Sequence, residues 1–326
     1  MHGTEQRKPM YQLVDGVPRC LTVKPDTLRK NLHFKARKGD VVQSSFPKSG
    51  SHWMMYIVQL ILRDGEPIHS HGDFMKGCRF LEYADIENWE SLLPLRAFMT
   101  HLPLSEDAIT QEGKYIYVAR NPWDVCVSFY HMATNISMYQ YEDATFEEFV
   151  DVFISGNFGY GDYFDHVAAA YGLREKPNVL FVTYEEMKKN TKNVLLKVAR
   201  FLGDHYRRDL AEDEIFLDEL LKKLSPEFMR NKVVVDIGKV PDPNSKELSK
   251  TSYITCKNGY GGDETKYNIV RTANVGGWKE YFTPHLLKRM EERIREAEKT
   301  TSFMDLWKDV RREAVALSRN FCGSAV

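Results

Sequence analysis

Four short apolar segments, each stopping abruptly at a turn, leave few folds open to this chain. The sharpest is VVQSSFPKSGSHWMMYIVQLIL, residues 41–62. A β-rich run breaks at Pro-Lys-Ser-Gly-Ser. Trp53, Met54, Ile57, Val58, Leu60 and Ile61 then follow at helical spacing. LRAFMTHLPL (95–104) reads as a strand entering a loop. KYIYVAR (114–120) is a strand running into Asn121-Pro122, where Asn caps a helix and Pro suits its first position, so a helix is expected from 122 to about 133. NVLFVTYEEMKKN (178–190) is a strand turning into an acidic-started helix, and 146–156, 163–172 and 194–203 read as helices with a glycine at the end. Strands alternating with helices imply an α/β fold, with a mainly parallel β-sheet flanked by helices on both faces. Ligands in such sheets sit at the carboxyl ends of the strands, so the turns after residues 46, 100, 120 and 184 are expected to converge.

No composition shift divides the 326 residues, so a single domain is expected. Within it, about 1–30 reads as an N-terminal segment and about 231–277, aperiodic and rich in Gly, Asn, Lys and Thr, as a long cap loop. Residues 284–318 are charged and helical, and about 311–326 reads as a C-terminal tail. A 43% hydrophobic content supports a sizeable core. The net charge of −1 argues against a broad nucleic-acid surface and leaves room for a local basic pocket. The opening MHGTEQRKPM has no apolar leader, and no run reaches the ~18 apolar residues of a membrane helix. Cys20, Cys78, Cys126, Cys256 and Cys322 are scattered, odd in number and form no C-x-x-C pair, which fits a reducing compartment and argues against zinc. A cytoplasmic protein with neither nucleic-acid nor membrane partner is expected.

A strand, a tight turn and a helix aim backbone N–H groups and the helix dipole at an anion. Lys48 adds a charge, Ser49, Ser51 and His52 add donors, and Gly50 permits close backbone approach. The turn lacks the Walker A arrangement, because its lysine precedes Gly50 and it has no earlier glycine, which disfavours ATP or GTP. Taken alone, the tetrapeptide PKSG fits a solvated surface turn better. Arg120 ends a strand, with Ser128 two turns into the next helix; arginine suits bidentate phosphate binding, and a pairing with Asp124 is an equal alternative. His101, just past a strand end with Pro103 stiffening its loop, is a candidate general base, although a lone histidine is more often structural. Arg271, followed by Gly276-Gly277-Trp278-Lys279, can fold over an anion or simply lead into a helix.

Together SSFPKSGSHW (44–53), MTHLPL (99–104), YVARNPWDVCVSFYH (117–131), VTYEEMK (182–188) and VRTANVGGWKEYFT (270–283) resemble, in order and spacing, the signature segments of cytosolic sulfotransferases, over roughly residues 30–300. The resemblance implies 3′-phosphoadenosine 5′-phosphosulfate (PAPS) as co-substrate, adenosine 3′,5′-bisphosphate (PAP) as product, no metal, and sulfuryl transfer to a hydroxyl or amine. By position, Ser45, Phe46, Pro47, Lys48, Ser49, Gly50, Ser51 and His52 would hold the phosphosulfate. Trp53 and Tyr184 would contact the adenine. Arg120, Ser128 and Arg271 would bind the 3′-phosphate, with Thr272 and Ala273 beside them. Ser225 stands at the adenine-side segment, where Phe228 or Met229 would replace the aromatic contact. His101 would be the base, Lys48 would stabilise the leaving group, and Ser128 completes the catalytic set.

Several positions depart from the family pattern. Met99 replaces a lysine two residues before the histidine. His52 replaces a threonine. Thr272-Ala273 replaces Lys-Gly, and Leu224-Ser225-Pro226 stands for Thr-Ser-Phe. The family's dimer motif reads Lys279…Thr283-Pro284…Lys288, with its acidic end reversed, so a monomer or an atypical dimer is expected. Phe80, Leu81, Tyr83, Met132, Ile136, Tyr139 and Tyr160 are candidates for a pocket taking a small phenol, catecholamine-like or steroid-like acceptor, while Glu82, Asp85, Glu142 and Asp143 could meet an amine. Individually, each of these apolar residues is better explained by simple core packing. The alternatives are a homologue that binds PAPS or PAP without turnover, a small-molecule kinase of the same fold, and a Golgi carbohydrate sulfotransferase, the last disfavoured by the near-neutral charge.

Overall fold

A computed structural model describes residues 7–240 and 253–319. Two short strands, β1 (Gln12–Val14) and β2 (Val17–Arg19), form an N-terminal hairpin. The central sheet contains β3 (Asp40–Ser44), β4 (Arg79–Phe80), β5 (Arg96–Thr100), β6 (Lys114–Ala119) and β7 (Val179–Thr183), in the order β4-β5-β3-β6-β7. Every pairing in it is parallel; Val42, for example, lies between Phe98 and Tyr115. All five residues of β3 are buried, as expected of a parallel strand covered on both faces. That burial includes Asp40, whose charge is met by Arg96 at 2.7 Å.

Side-chain alternation divides β6 between two cores. Tyr115 and Tyr117 face one that includes residues from the helices Pro122–Asn135, Phe146–Ser155, Tyr163–Gly172 and Pro284–Ala297. Ile116 and Val118 face the other, with the helices Ser51–Leu62, Thr191–Leu202 and Glu214–Lys223. The single α/β domain is therefore the three-layer arrangement expected of alternating strands and helices. The expected caps are present: Asn121 accepts from the Asp124 N–H, and Gly156 closes its helix at φ 64°.

Three expectations need correction. The sheet has a fifth strand, β4, whose two residues are too few to show a period. The stretch 231–277 is more than a loop: β8 (Val234–Asp236) pairs antiparallel with β9 (Lys266–Asn268), and Cys256 bridges to Ile136. Its residues 241–252 lie outside the described residues. The tail expected from about 311 does not start there, because Lys308–Arg319 is a helix held to its neighbour by Arg311, which pairs with Glu291 at 3.0 Å and Glu298 at 2.5 Å. Residues 320–326 lie outside the described residues. Among the described residues, no helix is long and apolar enough to cross a membrane. Cys20, Cys78, Cys126 and Cys256 are free and buried, and Cys322 lies outside the described residues.

Candidate active site

The turn after β3 stands at the carboxyl edge of the sheet. The Ser45 N–H donates to the Thr100 carbonyl at 3.3 Å, tying the turn to β5, and Ser45 Oγ donates to Ser51 Oγ at 3.0 Å. Gly50 begins the helix Ser51–Leu62 at φ 109°, where a Cβ would stand 2.8 Å from Tyr184 Cδ2. Glycine is therefore required twice, by backbone conformation and by the packed ring. Lys48 also has a positive φ, 69°, and its Nζ donates to the Tyr267 hydroxyl on β9 at 2.9 Å. Behind the turn, Phe46 is buried edge-on against Phe129, Phe153 and Tyr163 and anchors it to the core.

His101 follows β5 and is held from three sides. Its N–H donates to Glu82 Oε1 at 2.5 Å, and its carbonyl accepts from His166 Nε2 at 3.1 Å. Its Nδ1 lies 2.8 Å from the Ser45 carbonyl. A carbonyl only accepts, so Nδ1 carries the proton and Nε2 keeps its lone pair. Burial lowers the His101 pKa to about 4; the Ser45 bond opposes that shift and the Lys48 charge adds to it. The ring is therefore neutral at pH 7 with a free basic nitrogen. His166 is likewise lowered to about 4 by burial, and its Nδ1 accepts from the Tyr117 hydroxyl at 2.7 Å. Glu82 moves the other way, raised to about 7, chiefly by burial. His52 stacks on Phe74 at 5.4 Å, and burial, then the neighbouring His71, holds it well below the ordinary value.

Arg120 ends β6 with its guanidinium over the Tyr184 ring at 4.3 Å and one nitrogen donating to the Asn274 carbonyl at 2.9 Å. The alternative partner, Asp124, is 3.8 Å away. Asp124 is occupied elsewhere: it accepts from the N–H groups of Gly276 (2.9 Å) and Trp278 (3.2 Å), which pins the late loop across the site. Trp53 meets Tyr184 edge-on at 5.5 Å, giving an aromatic wall. Ala273 has φ 57°, a left-handed conformation where the family pattern has glycine.

A model of the Sulfotransferase domain matches residues 38–303. The chain belongs to the sulfotransferase family. It is 31% identical to sulfotransferase 1B1 of Mus musculus over 261 residues, covering 77% of this chain and 79% of that one. It is 30% identical to the amine sulfotransferase of Oryctolagus cuniculus over 295 residues, covering 88% and 89%. Among solved structures, mouse sulfotransferase SULT7A1 complexed with PAP aligns with a TM-score of 0.63 at 25% identity, covering 92% of this chain and 99% of that one. Retinol dehydratase in complex with androsterone and PAP shares the fold, with a TM-score of 0.65 at 20% identity over 86% and 88%.

In this sulfotransferase one cavity gathers most of the expected residues. Its wall includes Pro47, Lys48, Gly50, Ser51, His52, Trp53, His101, Arg120, Ser128, Met132, Tyr160, Tyr184, Met229, Arg271, Thr272 and Ala273. Lys48, Arg120 and Arg271 give it three fixed cations, and no Asp or Glu lines it among the described residues. Ser45, Phe46 and Ser49 lie behind the wall, buried. Ser225 caps the helix Pro226–Arg230, and its neighbours Leu224 and Pro226 line the cavity instead.

Of the expected acceptor residues, Phe80, Leu81, Tyr83, Ile136 and Tyr139 also lie off the wall. Phe80 backs His101 at 5.1 Å between ring centres, and Tyr83 packs on Phe80. Leu81, Ile136 and Tyr139 are core residues. Val270, the first residue of the late segment, is on the wall; sequence reasoning missed Tyr267 and Ile269 there, the latter beside Val270-Arg271, but nothing local marks Tyr267. His131 is off the wall: its Nε2 lies 2.8 Å from the Tyr281 hydroxyl, and its pKa is lowered to about 4 by burial, then by Arg271 and Lys48. Glu82 is committed to the His101 backbone, and neither it nor Asp85, Glu142 or Asp143 reaches the cavity wall to meet an amine.

Proposed function

We propose that this cavity binds PAPS and transfers its sulfuryl group to the hydroxyl of a small phenol-like or steroid-like acceptor. The observation that carries the reading is the charge asymmetry: three cations and no lining acid, in a chain whose net charge is −1. Such a site selects a polyanion. Lys48 and the turn around Ser51 meet the phosphosulfate. Arg120, Ser128 and Arg271 meet the 3′-phosphate, and Trp53 with Tyr184 flanks the adenine. The acceptor enters beside Met132 and Tyr160.

In the step itself, His101 Nε2 takes the acceptor's hydroxyl proton as the acceptor oxygen bonds to sulfur. The bond from sulfur to the bridging oxygen breaks, and PAP leaves with Lys48 neutralising the charge that grows on that oxygen. The positive field comes from side chains and backbone donors, so the step needs no metal. A wall without carboxylates favours a neutral acceptor over a cationic amine, although one relative is named an amine sulfotransferase. The buried free thiols support a cytoplasmic setting. Lys279 is paired with Glu313 within the chain at 2.6 Å, and the acidic end of the family's dimer motif is Lys288 here, which favours a monomer or an atypical dimer over the family's own pairing.

The test is sulfate transfer from labelled PAPS to a panel of phenols, catecholamines, steroids and alkyl alcohols, with Lys48→Ala and His101→Ala in parallel. Loss of a positioned base typically lowers rate ~10²–10⁴-fold. His101→Ala should do so while leaving PAP affinity near that of the parent. PAP binding without transfer to any acceptor would favour the non-catalytic reading, and preferential binding of ATP would favour the kinase.

A further inference from the structure

Met99 stands where the family pattern has a lysine, and its side chain takes no part in the site. It is fully buried in the apolar layer on the far face of the sheet, its sulfur accepting from Cys78 Sγ at 3.8 Å. The transferring group therefore has one donor fewer than the pattern supplies. The cavity wall contains a donor that the pattern does not call for. Tyr267, on β9 opposite Val235, projects onto the wall alongside Lys48, His101 and Arg271. Lys48 Nζ lies 2.9 Å from its hydroxyl and 5.4 Å from its ring centre. An ammonium group only donates, so the phenol oxygen accepts. The phenol's own proton is not used in that bond.

We propose that Tyr267 is a catalytic residue whose hydroxyl, while its oxygen holds Lys48, donates to a sulfonate oxygen of the bound co-substrate and of the transition state. The inference rests on the PAPS reading above. Lys48 serves the bridging oxygen and Tyr267 the sulfonate, and no proton leaves Tyr267 at any stage. In a partly buried cavity such a donor acts where charge is redistributed, and its position is set before the substrate arrives.

The test uses the full chain and Tyr267→Phe, which keeps the ring against Lys48 and removes only the hydroxyl. Affinities for PAPS and for PAP are measured by calorimetry, and turnover with 2-naphthol as acceptor. PAP lacks the sulfonate, so its affinity should stay within about twofold while that for PAPS falls about three- to tenfold. Turnover should fall at least as far. An equal loss for both nucleotides would make Tyr267 a strut of β9, and tighter PAPS binding would make it a plug that the nucleotide displaces; either overturns the proposal, as does no change. Asn268→Ala, the next residue of β9 on the opposite side of the strand, controls for loosening and should affect both nucleotides alike. Failure of the parent protein to bind either nucleotide would sink the PAPS reading and this inference together, whereas binding without a Tyr267→Phe effect sinks the inference alone.

Discussion

Glu82→Gln isolates the one buried acid that supports His101. Glu82 is 4% exposed, and its pKa is raised from 4.5 to about 7, with burial the largest cause. A carboxyl raised in the folded state contributes stability that is fully present below 4.5 and is lost as pH rises through about 7. At ~1.4 kcal/mol per unit, the full span is about 3 kcal/mol, of which about 2 kcal/mol is lost between pH 5.5 and pH 8. Glutamine keeps an oxygen for the His101 N–H but cannot titrate. Histidines with depressed values, such as His101 and His166, act in the opposite sense, losing stability as pH falls below 6.5. They are present in both proteins and cancel in the difference.

The assay is urea unfolding of parent and variant at pH 5.5 and pH 8. The stability of Glu82→Gln relative to the parent should improve by about 2 kcal/mol on going to pH 8. A difference that does not change with pH would refute the argument, because it would mean that Glu82 keeps an ordinary carboxylate pKa in the fold.

Three further outcomes follow from the same geometry. With His101 lowered to about 4, kcat/KM should stay flat from pH 8 through 6.5 to about 5.5, and an inflection near 6.5 in initial rates would show that the working base is not this buried ring. Gly50→Ala should cost about 2–4 kcal/mol, since it adds left-handed strain to a 2.8 Å clash with Tyr184, and should weaken PAP binding as that ring shifts; calorimetry and urea unfolding measure both. Ala273→Gly should raise unfolding free energy by up to about 1 kcal/mol by relieving φ 57°, and a loss would mean that the loop does not hold that backbone in solution.

The periodic and local features of this protein were legible in its sequence. β3, its turn and the following helix, the Asn121 cap, and the helix at 163–172 each depend on residues within one turn or one strand of one another. Alternation and helical spacing encode which face of an element is buried, and the ordered segments from Ser44 to Thr283 placed the wall residues Lys48, His101, Arg120, Ser128 and Arg271 together. Burial does not say against what a side chain packs. Phe80, Leu81 and Tyr139 had the composition of an acceptor pocket and lie off its wall. The Lys48–Tyr267 bond joins residues 219 apart, and Asp124 reaches 152 residues to hold the Gly276 N–H. Glu82 beneath His101 and the His166 bond to its carbonyl also arise only when separate elements converge. Buried polar groups must find partners wherever the packed layers bring them, and that choice was made by the tertiary structure.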